Sequence, residues 1–192
     1  MSSNKDQDAE LLAGYASGDM AAARALTARL SPMVYRLAFR LLQDGSLAED
    51  VTQDAMLRLW RIAPDWRSGE AKVATWLYSV AFNLSRDRMR QARRRAAQAL
   101  DDVAEPADPT PGAAASLQAR QQVDALQEAL AELPERQRQA VVLRHIEELS
   151  NPEIAEIMGI TVEAVESLTA RGKRGLAKAL KGRREELGYE DV

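Results

Sequence analysis

Residues 130–180 read LAELPERQRQAVVLRHIEELSNPEIAEIMGITVEAVESLTARGKRGLAKAL, and their punctuation decides the fold of the C-terminal part. Ser150 followed three residues later by Glu153 is a capping box, and Pro152 sits in the first turn, where its missing N–H costs little. Ile154, Ala155, Ile157 and Met158 give a short helix an apolar stripe, and Gly159 can take the left-handed conformation of a tight turn. Thr161 can cap a second helix whose buried side continues through Val165, Leu168 and Leu176, with the small Ala155 allowing close approach. That is the spacing of a helix-turn-helix, whose second helix can lie in a DNA major groove, although a plain αα-hairpin has the same spacing.

Outward from this stretch the chain stays helical. Of 192 residues 46% are hydrophobic and only 5% aromatic, and alternating strand-type runs are absent. The expected fold class is all-α: an N-terminal helical bundle (residues 1–100), a flexible acidic linker (101–118), a helix-turn-helix domain (119–181) and a tail (182–192). The linker carries DDVAEPADPTPGAAAS, whose prolines, acids and small residues cannot pack a core. In the first domain the punctuation predicts helices from Asp6 to Ala16, from an Asp19 cap to Leu30, from a Ser31-Pro32 start to about Gln43, from Leu47 to Ile62, and from Val73 to about Ala97. Asp44-Gly45-Ser46 is expected to be a turn. The second domain is expected to hold helices at about 119–132, 134–147, 151–158 and 162–181.

Composition excludes several chemistries. There is no cysteine, so disulfides, thiolate nucleophiles and Cys-based zinc sites are out. The lone His145 reads as a surface or packing residue, and no phosphate loop or acid–base constellation suggests an enzyme, a metal or a cofactor. No apolar run is long enough to cross a bilayer and MSSNKDQDAE is no signal peptide, so a soluble, cytoplasmic protein is expected. The net charge of −3 hides a segregation: +4 over residues 1–100, −4 over 101–118 and −3 over 119–192.

Two upstream segments carry chemistry. In LAEDVTQDAMLRLWR, residues 47–61, Ala48, Val51, Ala55 and Leu59 are spaced by three or four, with Ile62 completing one face. Glu49, Asp50, Gln53 and Asp54 cluster on the other side, flanked by Met56 and Leu57. Such an acidic, partly apolar face suits a basic partner helix, or is an ordinary solvated face. In VATWLYSVAFNLSRDRMRQARRR, residues 73–95, Trp76, Tyr78 and Phe82 precede Arg86, Arg88, Arg90, Arg93, Arg94 and Arg95, with Asn83 between them. Rings to stack on bases and guanidinium groups for phosphates are what melted DNA needs, although a core helix with a basic end has the same composition.

Taken in order, these segments resemble a bacterial RNA polymerase sigma factor of the small, two-domain extracytoplasmic-function type. AEDVTQDAMLRLWR resembles that family's core-binding helix, ATWLYSVAFNLSRDRMR its promoter −10 melting segment, and LPERQRQAVVLR with ELSNPEIAEIMGITVEAVESL its −35-binding domain. The resemblance implies that Asp50, Gln53, Asp54, Leu57 and Trp60 meet core polymerase, with its β′ and β subunits as partners. It implies that Trp76 and Asn83, with a loop from Trp66 to Lys72, hold a flipped base, a step that costs a few kcal/mol. Tyr78 joins that set, and Arg86, Arg88 and Arg90 then track the strand. The second partner is promoter DNA, and the third an anti-sigma factor, in this family often membrane-bound; no small-molecule substrate is implied.

The recognition helix departs from the family's usual GTVKSRLSRAR-like run: Glu166 and Leu168 stand where lysine and arginine are common. A carboxylate near the groove repels phosphates but can accept a hydrogen bond from cytosine N4. The −35 candidates are Thr161, Glu163, Glu166, Ser167, Arg171, Lys173 and Arg174, with Arg136, Arg138 and Arg144 for backbone contacts. The balance of −3 over 119–192 predicts poor DNA binding by that part on its own and reliance on polymerase to raise its effective concentration. A stand-alone helix-turn-helix regulator would need a ligand or dimerisation domain, which residues 1–100 do not resemble. A decoy that only titrates an anti-sigma factor would not need the basic melting segment.

Overall fold

The computed structural model of the chain describes residues 3–67, 69, 72–98 and 117–181. Among them there is no strand, and no helix is long and apolar enough to cross a membrane. The chain divides into two compact units, Met1–Ala107 and Asp108–Val192. The expected acidic linker, up to residue 116, and the tail 182–192 lie outside the described residues.

Among the described residues the N-terminal unit holds four α-helices: α1 (Ser3–Ala16), α2 (Met20–Leu42), α3 (Gly45–Ile62) and α4 (Val73–Gln98). A short 3-10 turn, Ala63–Asp65, extends α3. Asp19 caps α2, its carboxylate accepting from the Ala21 and Ala22 N–H groups at 2.7 and 3.2 Å. At Gly14 an added Cβ would lie 2.9 Å from Ala22 Cβ, so the missing side chain lets α1 and α2 close at their turn.

The sequence splits residues 20–42 into two helices at Ser31-Pro32, and the structure corrects this to one helix with Pro32 inside it. A proline forfeits one hydrogen bond and crowds the carbonyl four residues back, here that of Ala28. Both Pro32 and Ala28 are exposed, so water can satisfy that carbonyl. Meanwhile the buried stripe Leu26, Leu30, Val34, Leu37 and Leu41 runs unbroken through the proline and packs on α1, α3 and α4. Burial of that stripe, at roughly 1.5–3 kcal/mol per side chain, outweighs the proline's cost of about 3 kcal/mol. Gly45 and Ser46, expected in a turn, instead form the first turn of α3 because the Asp44 carboxylate caps it, accepting from the Leu47 N–H at 2.9 Å.

The C-terminal unit holds α5 (Leu117–Ala131), α6 (Glu135–Val141), α7 (Asn151–Met158) and α8 (Val162–Lys181). α5 begins two residues ahead of the expected 119. The helix expected over 134–147 is α only to Val141 and then widens into a π turn, Val142–Ile146. Leu130, Ala140, Val142, Leu143, Ile154 and Val165 are fully buried between these helices. α8 is held close by its glycines: a Cβ on Gly172 would sit 2.5 Å from Val141 Cγ2, and one on Gly175 2.7 Å from Leu133 Cδ2. Gly172 is buried, whereas Leu168, Leu176 and Ala155, to which the sequence assigns this packing, are only half-buried.

Candidate docking and nucleic-acid interfaces

On α3 the buried face is Ala48, Val51, Ala55, Met56 and Leu59. Met56 is a correction, since the sequence places it beside the acidic face and the structure puts it in the core, while Ile62 is only half-buried. The opposite face presents Glu49, Asp50 and Gln53 exposed, with Leu57 at 51% exposure as an apolar knob on the same side. An exposed leucine with acidic and amide groups on the turns before it is the composition of a docking spot for an amphipathic basic helix. Asp54 and Trp60 are half-buried. The Trp60 ring packs at 4.5 Å between centroids on Tyr15 of α1, a contact that leaves no trace in local sequence spacing.

Helix α4 sorts its aromatics. Phe82 (2% exposed) and Tyr78 (8%) are core residues, so Tyr78, a candidate for stacking on DNA, is corrected to a packing residue. The period of α4 explains it: Leu77, Tyr78, Ala81, Phe82 and Ser85 share the face turned towards α2 and α3. Trp76 lies off that face, half-buried, and meets Trp66 edge-on at 5.9 Å and 80°. Pro64 and Trp66 line a cleft with Ala13, Ala16 and Ser17 at the end of α1. Asn83 is half-buried about two turns beyond Trp76. Of the loop 66–72 the structure describes Trp66, Arg67, Gly69 and Lys72, the last exposed; Gly69 has φ +99°, a conformation that favours glycine.

Towards its end α4 becomes a cationic rod, with Arg90, Arg93, Arg94 and Arg95 exposed and Arg86 half-buried. Arg88 is not simply part of that rod. Its Nη2 donates to Asp54 Oδ2 at 3.2 Å, joining a candidate DNA contact to a candidate polymerase contact.

The C-terminal unit has the helix-turn-helix as α7, Gly159 and α8. Ser150 and Glu153 form the reciprocal capping box, and Gly159 takes φ +63°. The Thr161 hydroxyl accepts from the Ala164 N–H at 3.3 Å, opening α8. Hydrogen bonds from its own N–H and then from the Thr161 hydroxyl hold the exposed Glu163 carboxyl below its ordinary range. Glu166, Ser167, Arg171, Lys173 and Arg174 are all exposed along α8. The helix therefore runs from acidic to basic along its free side. Arg171 Nε donates to the Ser167 carbonyl at 3.2 Å, and Asn151 Nδ2 of α7 donates to Glu166 Oε1 at 3.4 Å. Arg136 and Arg144 are exposed and Arg138 is half-buried; Arg144 also closes the π turn by donating to the Leu149 carbonyl at 3.1 Å. Partial desolvation first, then the charges of Lys173 and Arg144, lower the pKa of His145 from its ordinary value.

Comparison with known proteins agrees with both units. Residues 26–95 match the family Sigma-70 region 2, and residues 124–176 match Sigma-70, region 4. The ECF RNA polymerase sigma factor SigM of Mycobacterium tuberculosis is 35% identical over 173 residues, spanning 90% of this chain and 84% of that protein. Among solved structures, CnrH in complex with the cytosolic domain of CnrY superposes with a TM-score of 0.63 at 25% identity, covering 92% of this chain and 98% of that one. The fold is also that of the sigma factor RpoE of Bartonella quintana, solved with the anti-sigma factor NepR, at a TM-score of 0.69 and 23% identity over 82% of this chain and 96% of that one.

Proposed function

We propose a working role for this chain, which belongs to the extracytoplasmic-function RNA polymerase sigma factors. It binds core RNA polymerase, directs it to promoters with a −35 and a −10 element, helps melt the −10 region and then leaves. It works in the cytoplasm, catalyses no bond chemistry and needs no cofactor. Support for this comes above all from one arrangement: in a single unit, an acidic helix with an exposed leucine packs against a helix that carries Trp76, paired edge-on with Trp66 of the preceding loop, and an arginine-rich end.

In this reading Asp50, Gln53, Asp54 and Leu57 meet a coiled coil of the β′ subunit, with Trp60 supporting them from below. Trp66 and Trp76 form a wall beside which Asn83 offers its amide to an extruded base, and Arg86 and Arg90 follow the phosphates. The second unit reads the −35 duplex through the N-terminal half of α8. Free DNA binding is weak because the unit's negative balance opposes phosphates, and attachment to polymerase raises the effective concentration. An anti-sigma factor restrains the protein by covering these surfaces; the solved complex of CnrH with the cytosolic domain of CnrY supports control by a bound partner.

Run-off transcription with purified core enzyme on genomic fragments is the test. Initiation at discrete promoters that requires this protein is expected, and no core-dependent initiation would refute the proposal. Copurification from the native host tests the restraint: a stoichiometric partner other than polymerase is expected.

A further inference from the structure

Resting on the reading of α8 as the helix that enters promoter duplex, we infer that Glu166 selects a cytosine within the −35 element and that Asn151 is the residue that positions it. The charged groups on the leading half of α8 have different fates. Glu163 turns back on its own N–H and on Thr161, so its charge is spent at the helix start, where the backbone dipole welcomes it. Arg171 folds back along the helix onto the Ser167 carbonyl. Glu166 points outward and is exposed. Only its Oε1 is engaged, by the amide of Asn151 at 3.4 Å; Oε2 has no partner among the described residues.

A carboxylate carried into a major groove needs a donor there, because phosphates and the acceptor edges of the bases repel it. The groove offers two amine donors, cytosine N4 and adenine N6. Adenine sets its N7 acceptor beside the amine, against the second carboxylate oxygen, whereas cytosine sets a C–H there. The discrimination therefore runs towards cytosine. An exposed glutamate samples several rotamers, and each that misses the base weakens the contact. Asn151, in the first turn of α7, biases that choice across the turn of the motif. At 3.4 Å in solvent the contact is a bias of a few-fold and not a lock.

The test uses holoenzyme assembled from core polymerase and the full chain, bound to a pool of promoter duplexes randomised across the −35 segment and sequenced. Wild type is expected to enrich cytosine at one position by about five-fold or more, the scale of one mismatched base pair. Glu166→Gln is expected to move that same position towards adenine, since an amide can pair with N6 and N7 together, and to leave the other positions alone. Asn151→Ala should keep cytosine but weaken its preference roughly two- to three-fold, a change in base preference that a purely structural role would not produce. If the Glu166→Gln pool matches wild type at every position, the inference is overturned while the reading of α8 stands. If wild type enriches nothing across the segment, the reading of α8 fails and the inference with it.

Discussion

Arg88 and Asp54 are joined at 3.2 Å between α4 and α3, so the surface proposed to take up DNA and the surface proposed to take up polymerase share one ion pair. Both side chains remain substantially in water, at 33% and 45% exposure, which limits what the pair contributes to stability to about 0.2–1 kcal/mol. Its importance lies in what each partner does when released.

A double-mutant cycle on Asp54→Asn and Arg88→Gln, read by urea unfolding, should give a coupling below about 1 kcal/mol. All three tryptophans lie between residues 60 and 76, so indole fluorescence reports this unit alone. Titration against core polymerase should separate the two residues. Asp54→Lys is expected to weaken core binding at least about ten-fold, because it sets a cation against a basic partner helix. Arg88→Gln should leave core binding within about two-fold, and equal losses from both would show that the pair acts as one polymerase contact.

The aromatic positions of α4 should divide into two phenotypes. Phe82→Ala opens a cavity in the core and should cost about 3–5 kcal/mol, a large share of a small domain's stability. Asn83→Ala should leave fluorescence-detected stability within about 1 kcal/mol and core binding unchanged, yet lower open-complex formation about ten-fold or more. Permanganate footprinting of unpaired thymines is the readout. A uniform loss of core binding in Asn83→Ala would move that residue from melting to folding.

Two backbone sites predict opposite signs for substitutions that look equally mild. Glu148 holds φ +55°, a left-handed conformation strained for a side-chain-bearing residue, so Glu148→Gly should stabilise the helix-turn-helix unit by roughly 0.5–1 kcal/mol. Gly172→Ala should destabilise the same unit by about 1–3 kcal/mol despite alanine's better helix propensity, because its Cβ would meet Val141 and the Gln137 carbonyl. Helix signal in circular dichroism, with the tryptophan transition as an internal standard, reads both.

His145 gives this unit a pH dependence with a definite sign. Burial, Lys173 and Arg144 lower its folded pKa below the ordinary 6.5, so on acidification the unfolded chain takes up the proton first. Stability should therefore begin to fall as pH drops through about 6.5 and stop falling below the folded value. Glu163 acts in a separate window: its lowered pKa contributes stability above the ordinary 4.5 that is lost as pH falls through the folded value. Urea midpoints between pH 8 and 5.5 should slope for the native chain and flatten in His145→Gln.

What the sequence discloses here is local chemistry. The capping box at Ser150, the turn at Gly159 and the apolar stripe of α7 are fixed by neighbours three or four residues away, and the structure has them as read except that Ala155 is only half-buried. The family reading needed only the order of three segments, and the matches to both sigma regions bear it out. Tertiary contests are what short-range reading loses. Pro32 signals a helix start, but the stripe from Leu26 to Leu41 overrides it. Tyr78 looks like a base-stacking ring until the pitch of α4 turns it inward with Phe82. The Arg88–Asp54 pair spans 34 residues and the Tyr15–Trp60 contact joins α1 to α3, so no spacing rule announces them. Asn151 could be read as a cap neighbour, and nothing local ties it to a glutamate fifteen residues on.

Helix α2 offers no side chain to polymerase or to promoter in this reading, yet it packs against α1, α3 and α4 alike. The amides behind its buried stripe are expected to open only as those neighbours separate. In hydrogen exchange they should be the last of the unit to take up deuterium, at rates set by global unfolding. The buried parts of α3 and α4 thereby belong to one foldon with α2, and neither should open there without drawing on the spine they share. A protease or chaperone meeting this unit should find it either whole or gone, with no long-lived half.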